Sequence, residues 1–262
     1  MKEAGLVKPI RRLLGQKRGR PEESLGLSEK GFRALQEKGI LKSSLSYDVV
    51  AGEALHCHDH QLLMNWFRIH LEQVPRVRPQ CSFKIFTDSS PFLPLGPDMQ
   101  QVLAEYVPTN TTNKGKTKFT PDAVFTSKDS NTGTSLLFFL EVDMGTESLA
   151  RPDKRPGDVR EKILNYQMYF RTEKYKRYEE LWDCHFHGFR LLFLAHTHER
   201  LSALCRLVEQ MPPSDFIWLT ELNRMFSSGV ADKIWVRGGK PHLPDESILG
   251  SLHCHTPLLH TK

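Results

Sequence analysis

Residues 120–143 read TPDAVFTSKDSNTGTSLLFFLEVD. Two apolar runs, in PDAVFTS and SLLFFLEVD, flank the segment SKDSNTGT, whose Ser, Asn and Gly residues suit the connection of a β-hairpin. If the runs are neighbouring strands, Asp122 lies near the start of the first. Glu141 and Asp143, two residues apart, then share one face of the second. Three carboxylates would converge. A charge inside so apolar a strand is costly unless something neutralises it, and a divalent cation is a natural partner for clustered carboxylates. Mg²⁺ or Mn²⁺ held this way activates water and stabilises a phosphate under attack. A structural reading stays open beside this one: Asp122 caps a turn after Pro121, while Glu141 and Asp143 form ion pairs with Lys162 or Arg160.

Working outward, Val159, Ile163, Tyr166 and Phe170 recur at helical spacing and predict one long helix from Asp158 to Trp182. FRLLFLAHT, from Phe189, is apolar on both faces, as a strand buried within a sheet must be, and a helix from Glu199 to Met211 follows it. FIWLTELNRM supplies a further strand or helix start, and KIWVRGG a last strand. Upstream, Leu63, Trp66, Phe67 and Leu71 predict a helix over Asp59 to Val74. FKIFT, from Phe83, predicts a strand, and Met99 to Val107 a strand or short helix. Asn110 to Lys118, NTTNKGKTK, reads as a polar loop. Strands alternating with long helices give an α/β (α+β) chain.

The formal charge of +5 over 262 residues is unevenly spread. Through Lys42 there are eleven basic and five acidic residues, which leaves 25 basic against 26 acidic in the rest, so the whole surplus is N-terminal. No apolar run approaches the ~18–20 residues of a membrane-spanning helix, and MKEAGLVKPIRRLLGQKR has no apolar core of a secretory signal. The cysteines, Cys57, Cys81, Cys184, Cys205 and Cys254, are odd in number and form no CxxC, against a disulfide framework or a zinc ribbon. These features predict a cytoplasmic protein with no membrane partner.

The segment RRLLGQKRGRPEESLGLSEKGFRALQEKGILK joins a basic Gly- and Pro-containing stretch to a short helix capped by Ser28. It resembles the wing and last helix of a winged helix-turn-helix domain, of which ~40–60 further residues would precede it in a complete copy. The expected organisation is a partial, DNA-binding winged helix over 1–45, with Lys17, Arg18 and Arg20 as its DNA contacts, then a second domain over 59–239 and a flexible tail over 240–262. A solvated basic arm is the plainer reading of the same charges.

The pairing of Pro121-Asp122 on one strand with an acid-rich second strand resembles the PD-(D/E)xK nuclease superfamily, and the resemblance implies a mixed central sheet flanked by helices. The chain departs from that pattern where Asp143 stands in place of the lysine, and the resemblance implies that a helix supplies the cation, with Lys162 the candidate one turn before Tyr166. More specifically, PDAVF, LLFFLEVDMGTES and VREKILNYQMYF are similar to the replication-relaxation family of bacterial plasmid and mobile-element proteins, through Pro121, Asp122, Phe125, Glu141, Asp143, Gly145, Thr146, Glu147, Lys162 and Tyr166. His60 and Asn65 stand where that family often has a His and an Asn. The resemblance implies a partner in double-stranded plasmid DNA, and replication or mobilisation proteins besides. It also implies a nuclease-like site in which Asp122, Glu141 and Asp143 hold Mg²⁺ or Mn²⁺, Lys162 stabilises phosphate charge, and His60 and Tyr166 assist. The alternatives are a non-catalytic DNA-binding accessory protein that keeps a degenerate nuclease-like fold, and a truncated, inactive copy.

Twelve histidines include His56-Cys57-His58-Asp59-His60 and His253-Cys254-His255, but neither cluster has a second Cys/His pair at zinc-finger spacing. Tyr166, Tyr169, Tyr175 and Tyr178, among Lys174, Lys176 and Arg177, suit either stacking on bases or one side of an amphipathic helix. GxxxxGKS, GxSxG and GxGxxG are absent, which removes support for P-loop, α/β-hydrolase and dinucleotide chemistry.

Overall fold

The computed structural model describes residues 1–10, 24–50, 58–87, 103–108, 115–150 and 157–258. The chain divides into two compact units, Met1–Leu62 and Leu63–Lys262.

In the first unit β1 (Val7–Ile10) pairs antiparallel with β2 (Ser24–Leu27), so the basic segment 11–23 joins two strands of one hairpin. Helix α1 (Glu29–Glu37) follows, its N-terminus capped by the Ser28 hydroxyl, which accepts from the Gly31 N–H at 3.0 Å. Gly31 is there for want of space, since a Cβ would fall 2.0 Å from the Leu6 carbonyl oxygen. Phe32 is buried edge-on to Tyr47 of α2 (Tyr47–Val50), whose hydroxyl donates to the Leu27 carbonyl. The described part of this unit is thus a hairpin followed by two helices. Lys17, Arg18 and Arg20 lie outside the described residues.

The second unit is built on a six-stranded mixed sheet, in line with the expected fold class. Helix α3 (His58–Val77) leads into β3 (Cys81–Thr87); β4 (Glu105–Pro108) and β5 (Lys116–Phe119) form a separate two-stranded ribbon. The reading of 110–118 as a loop thus fails at its end, where Thr117 and Phe119 turn inward in alternation with exposed Lys116 and Lys118. β6 (Ala123–Asp129) and β7 (Ser135–Asp143) make the expected hairpin. Its turn is tied by the Asp129 carboxylate, which accepts from the Asn131 N–H and the Thr132 hydroxyl.

After β7 come α4 (Val159–Arg171), a single 3₁₀ turn (Lys174–Lys176), α5 (Arg177–Trp182), β8 (Phe189–Ala195), α6 (His198–Glu209), β9 (Ile217–Glu221), α7 (Leu222–Ser228) and β10 (Val236–Arg237). The sheet order is β10-β9-β8-β7-β6-β3, with β7, β8 and β9 parallel and the outer pairs antiparallel. The parallel strands are joined through helices, as parallel connections require.

β7 explains the two-sided core. Leu137 and Phe139 face α4, α5 and α6, while Phe138, Leu140 and Val142 face α3 and α7. Glu141 and Asp143 continue the Leu137 and Phe139 row and so point toward α4 and α6.

Two expectations need correction. The long helix from Asp158 to Trp182 is broken at Thr172 and Glu173, the latter in the left-handed region at φ 53°. At ~100° per residue a straight helix would carry Tyr175, Tyr178 and Trp182 to the side opposite Tyr166. The break rotates all of them back into the core with Tyr169, so the tyrosines are packing residues rather than stacking platforms. The tail is also folded, not flexible, as far as it is described. Trp235 and Glu246 exchange main-chain hydrogen bonds, Ile248 is fully buried, and Arg78 donates to the Leu252 and His253 carbonyls. Gly229, at φ 91°, lets Thr256 pass so closely that a Cβ would lie 2.2 Å from its hydroxyl oxygen.

His70 on α3 is buried under this segment, edge-on to Phe226. Burial pushes its imidazole down to about 4, against a weaker upward pull from the Thr256 main chain. Because the unfolded chain protonates near pH 6.5 and the folded one only near 4, stability is complete above pH 6.5 and falls as the pH drops toward 4. The expected loss is about 2 kcal/mol by pH 5. Urea titrations of wild type and His70→Phe at pH 5 and 7.5 measure it, with the pH dependence reduced by that amount in the variant; equal dependence in both would refute the assignment.

Candidate functional site

The hairpin β6–β7 and helix α4 place the central group. Asp122, immediately before β6, is held against β7 in both directions: its N–H donates to the Leu140 carbonyl at 3.1 Å, and its Oδ2 accepts from the Val142 N–H at 2.7 Å. Glu141 is thereby flanked by two ties to Asp122, one to its main chain and one to its carboxylate. Its own carboxylate is buried, with Oε1 accepting from the Tyr166 hydroxyl at 2.5 Å and Oε2 meeting Lys162 Nζ at 2.9 Å. Lys162 and Tyr166 are four residues apart on α4 and so lie on one helix face. Lys162 also reaches Glu147, in the loop after β7, at 3.1 Å. The first turn of α4 is fixed by its N-cap, the Asp158 carboxylate, which accepts from the Glu161 N–H.

Burial lifts the Glu141 carboxyl to about 7, and the charge of Asp122 adds to the rise; Lys162 and Tyr166 pull the other way. The acids around Lys162 hold its ammonium above the ordinary lysine value in spite of burial. The Tyr166 phenol is pushed up by burial and then by Glu141, so it stays protonated and donates. A carboxylate that exchanges its proton near neutrality, beside a permanent cation, is the kind of group found where chemistry is done, although structural ion pairs have the same signature.

Asp143 is placed differently. Both of its oxygens are taken by Arg200 of α6, at 2.9 Å from Nε and 2.8 Å from a terminal nitrogen, and Oδ1 also accepts from the Gly145 N–H. The same guanidinium donates to the Glu147 carbonyl at 2.7 Å. The three acids expected to converge are therefore divided: Asp122 and Glu141 share one locus, while Asp143 belongs to an ion pair. Among the described residues no group of three or more His, Cys, Asp and Glu is arranged to hold a metal ion. Both β7 acids form ion pairs, as the structural alternative has it: Glu141 pairs with Lys162, while the partner of Asp143 is Arg200 rather than Lys162 or Arg160.

Of the three acids expected to hold a divalent cation, Asp122 and Glu141 stand together and Asp143 does not join them. Glu141 Oε2 is buried against the Lys162 ammonium, and Asp122 is close enough to shift the titration of Glu141. Around Lys162 stand Asp122, Glu141 and Glu147, so this locus carries more acid than base. His60 stands half-buried in the first turn of α3, and Asn65 is exposed on the next turn.

Sequence reasoning missed Arg200. The signal that points to it is indirect, for an acid in the place of a strand cation demands a partner, but nothing in the spacing identifies a residue 57 positions away.

Among the described residues no helix is long and apolar enough to cross a membrane. No curated protein and no solved structure matches the chain. The sequence pattern of replication-relaxation proteins matches residues 1–183, a span that takes in the N-terminal hairpin, Asp122, the β6–β7 hairpin, Glu147 and Lys162. The chain belongs to the replication-relaxation family.

Proposed function

We propose that this protein acts on DNA in plasmid or mobile-element replication, gripping duplex DNA through its basic N-terminal segment and nicking it by metal-dependent phosphodiester hydrolysis. The observation that carries this reading is the reach of Lys162 from α4 to Glu141, 2.9 Å away, which returns a cation to a strand whose own cation position is acidic. Asp122 and Glu141 would hold Mg²⁺ or Mn²⁺. Such an ion lowers the pKa of bound water and offsets charge on a reacting phosphate. Around it, the chain's own groups divide the work. Tyr166 fixes one Glu141 oxygen by donating to it, and Lys162, which also holds Glu147, offers its remaining N–H bond to a phosphate oxygen. Asp143 and Arg200 hold the loop that carries Glu147.

A second reading, a DNA-binding accessory protein with a retained but inactive nuclease-like scaffold, is favoured by the full commitment of Asp143 to Arg200. Lys162→Met separates the two. On the first reading the variant binds a duplex oligonucleotide as wild type does but loses metal-dependent cleavage by about 10²-fold or more. Binding without cleavage by wild type itself selects the second reading. Joint replacement of Lys17, Arg18 and Arg20 by Gln is expected to weaken binding and lower its log–log salt slope by up to about 2.7; unchanged salt dependence would remove the basic segment from the DNA contact.

A further inference from the structure

The ribbon β4–β5 contributes its inward side to the core. Phe119 meets Tyr166 and Tyr169 at 4.9 and 5.6 Å between ring centroids. Glu105, buried opposite Phe119, accepts from the Tyr178 hydroxyl at 2.6 Å and pairs with Arg177 at 3.0 Å. The acid of the ribbon is thus turned inside and neutralised. The outward side carries Lys116 and Lys118, both exposed, and Lys174, also exposed, reaches the ribbon with its Nζ donating to the Tyr106 carbonyl at 3.2 Å. The nearby Glu173 is paired with Lys176. Among the described residues no ion pair engages Lys116, Lys118 or Lys174.

Three exposed ammonium groups on and beside the ribbon, Lys174 sensed by the buried Glu105 and none of the three in an ion pair among the described residues, make a local field for a polyanion. The ribbon also leads straight into the candidate site, because Lys118 is four residues before Asp122, a span of at most ~14 Å. Lys116 and Lys118, two residues apart on a strand, are about 6.6 Å apart, close to two nucleotide rises of ~3.4 Å.

We infer that the outer face of β4–β5, with Lys174, is a second DNA-backbone contact that feeds a duplex strand to the Asp122 and Glu141 locus, separate from the basic N-terminal segment. This rests on the reading of the protein as DNA-acting. An acidic protein partner would use the same charges, but it would have no reason to sit beside a site suited to phosphate chemistry.

The test is equilibrium binding of a 30-base-pair duplex of mixed sequence to the full chain over a series of salt concentrations. The chains compared are wild type, Lys116→Gln/Lys118→Gln/Lys174→Gln, and the matching triple Arg variant. The Gln variant is expected to bind about tenfold or more weakly near physiological salt and to lose up to about 2.7 from the log–log salt slope, while the Arg variant keeps both. Exposed lysines are replaced, so circular dichroism of the Gln variant should match wild type. Wild-type binding with an unchanged slope in the Gln variant overturns this inference and leaves the DNA-acting reading standing. No binding by wild type removes that reading and this inference with it.

Discussion

Arg200→Ala is expected to destabilise the second unit by about 3–5 kcal/mol, the cost of leaving a buried carboxylate without its partner. Asp143 keeps only the Gly145 N–H once the guanidinium is gone, and the side chains of both partners are mostly buried, 6% and 14% exposed. The loop after β7 loses a tie as well, since Arg200 donates to the Glu147 carbonyl. The double variant Asp143→Leu/Arg200→Leu should recover more than half of the loss, because apolar replacement of a buried pair is far cheaper than breaking it. Chemical denaturation of the three proteins measures both effects. If Arg200→Ala were as stable as wild type, the pair would be a surface decoration, and Asp143 would be free to serve as a third acid beside Glu141.

Phe139→Ala should cost a similar amount, about 3–5 kcal/mol, by leaving a cavity where a fully buried ring stood. Phe139 meets Tyr166, Tyr169, Tyr178 and Phe189 at centroid distances of 4.7–5.9 Å, so α4, α5 and β8 all close on it. It also lies two residues before Glu141 on the same strand face, and one of its contacts is the tyrosine that bonds Glu141. Loss of the ring should therefore weaken the site along with the fold. Phe139→Leu, which keeps most of the volume, is expected to lose less than half as much. Thermal and chemical unfolding would contradict this account if Phe139→Ala cost under about 1 kcal/mol, the level of a surface change.

The hairpin carrying Asp122, Glu141 and Asp143 was legible because its information is local. Two runs of strand period separated by a turn-forming segment leave little choice of pairing, and the Leu137, Phe139, Glu141 row follows from alternation alone. Lys162 was legible for the same reason, one helical turn from Tyr166. The break at Thr172 was less so. The apolar spacing through Phe170 continues the helix, and only the phase of Tyr175, Tyr178 and Trp182 betrays that it stops. Ribbon β4–β5 was hidden because its outward face is polar and its strands are four residues each, too short to show a period. The folding of the tail depends on contacts with Ala231, Ser228 and Arg78 that no local pattern encodes. Arg200 was invisible by kind, since a basic residue in the first turns of an amphipathic helix is ordinarily solvated, and its burial is decided by a strand 57 residues earlier.

The most direct measurement is conversion of supercoiled plasmid to open circle by the purified full chain with Mg²⁺ or Mn²⁺, set beside Asp122→Ala. The account predicts nicking that depends on the added metal and falls to background in the variant. Absence of nicking by the folded, DNA-binding wild type, or equal nicking by Asp122→Ala, would contradict it.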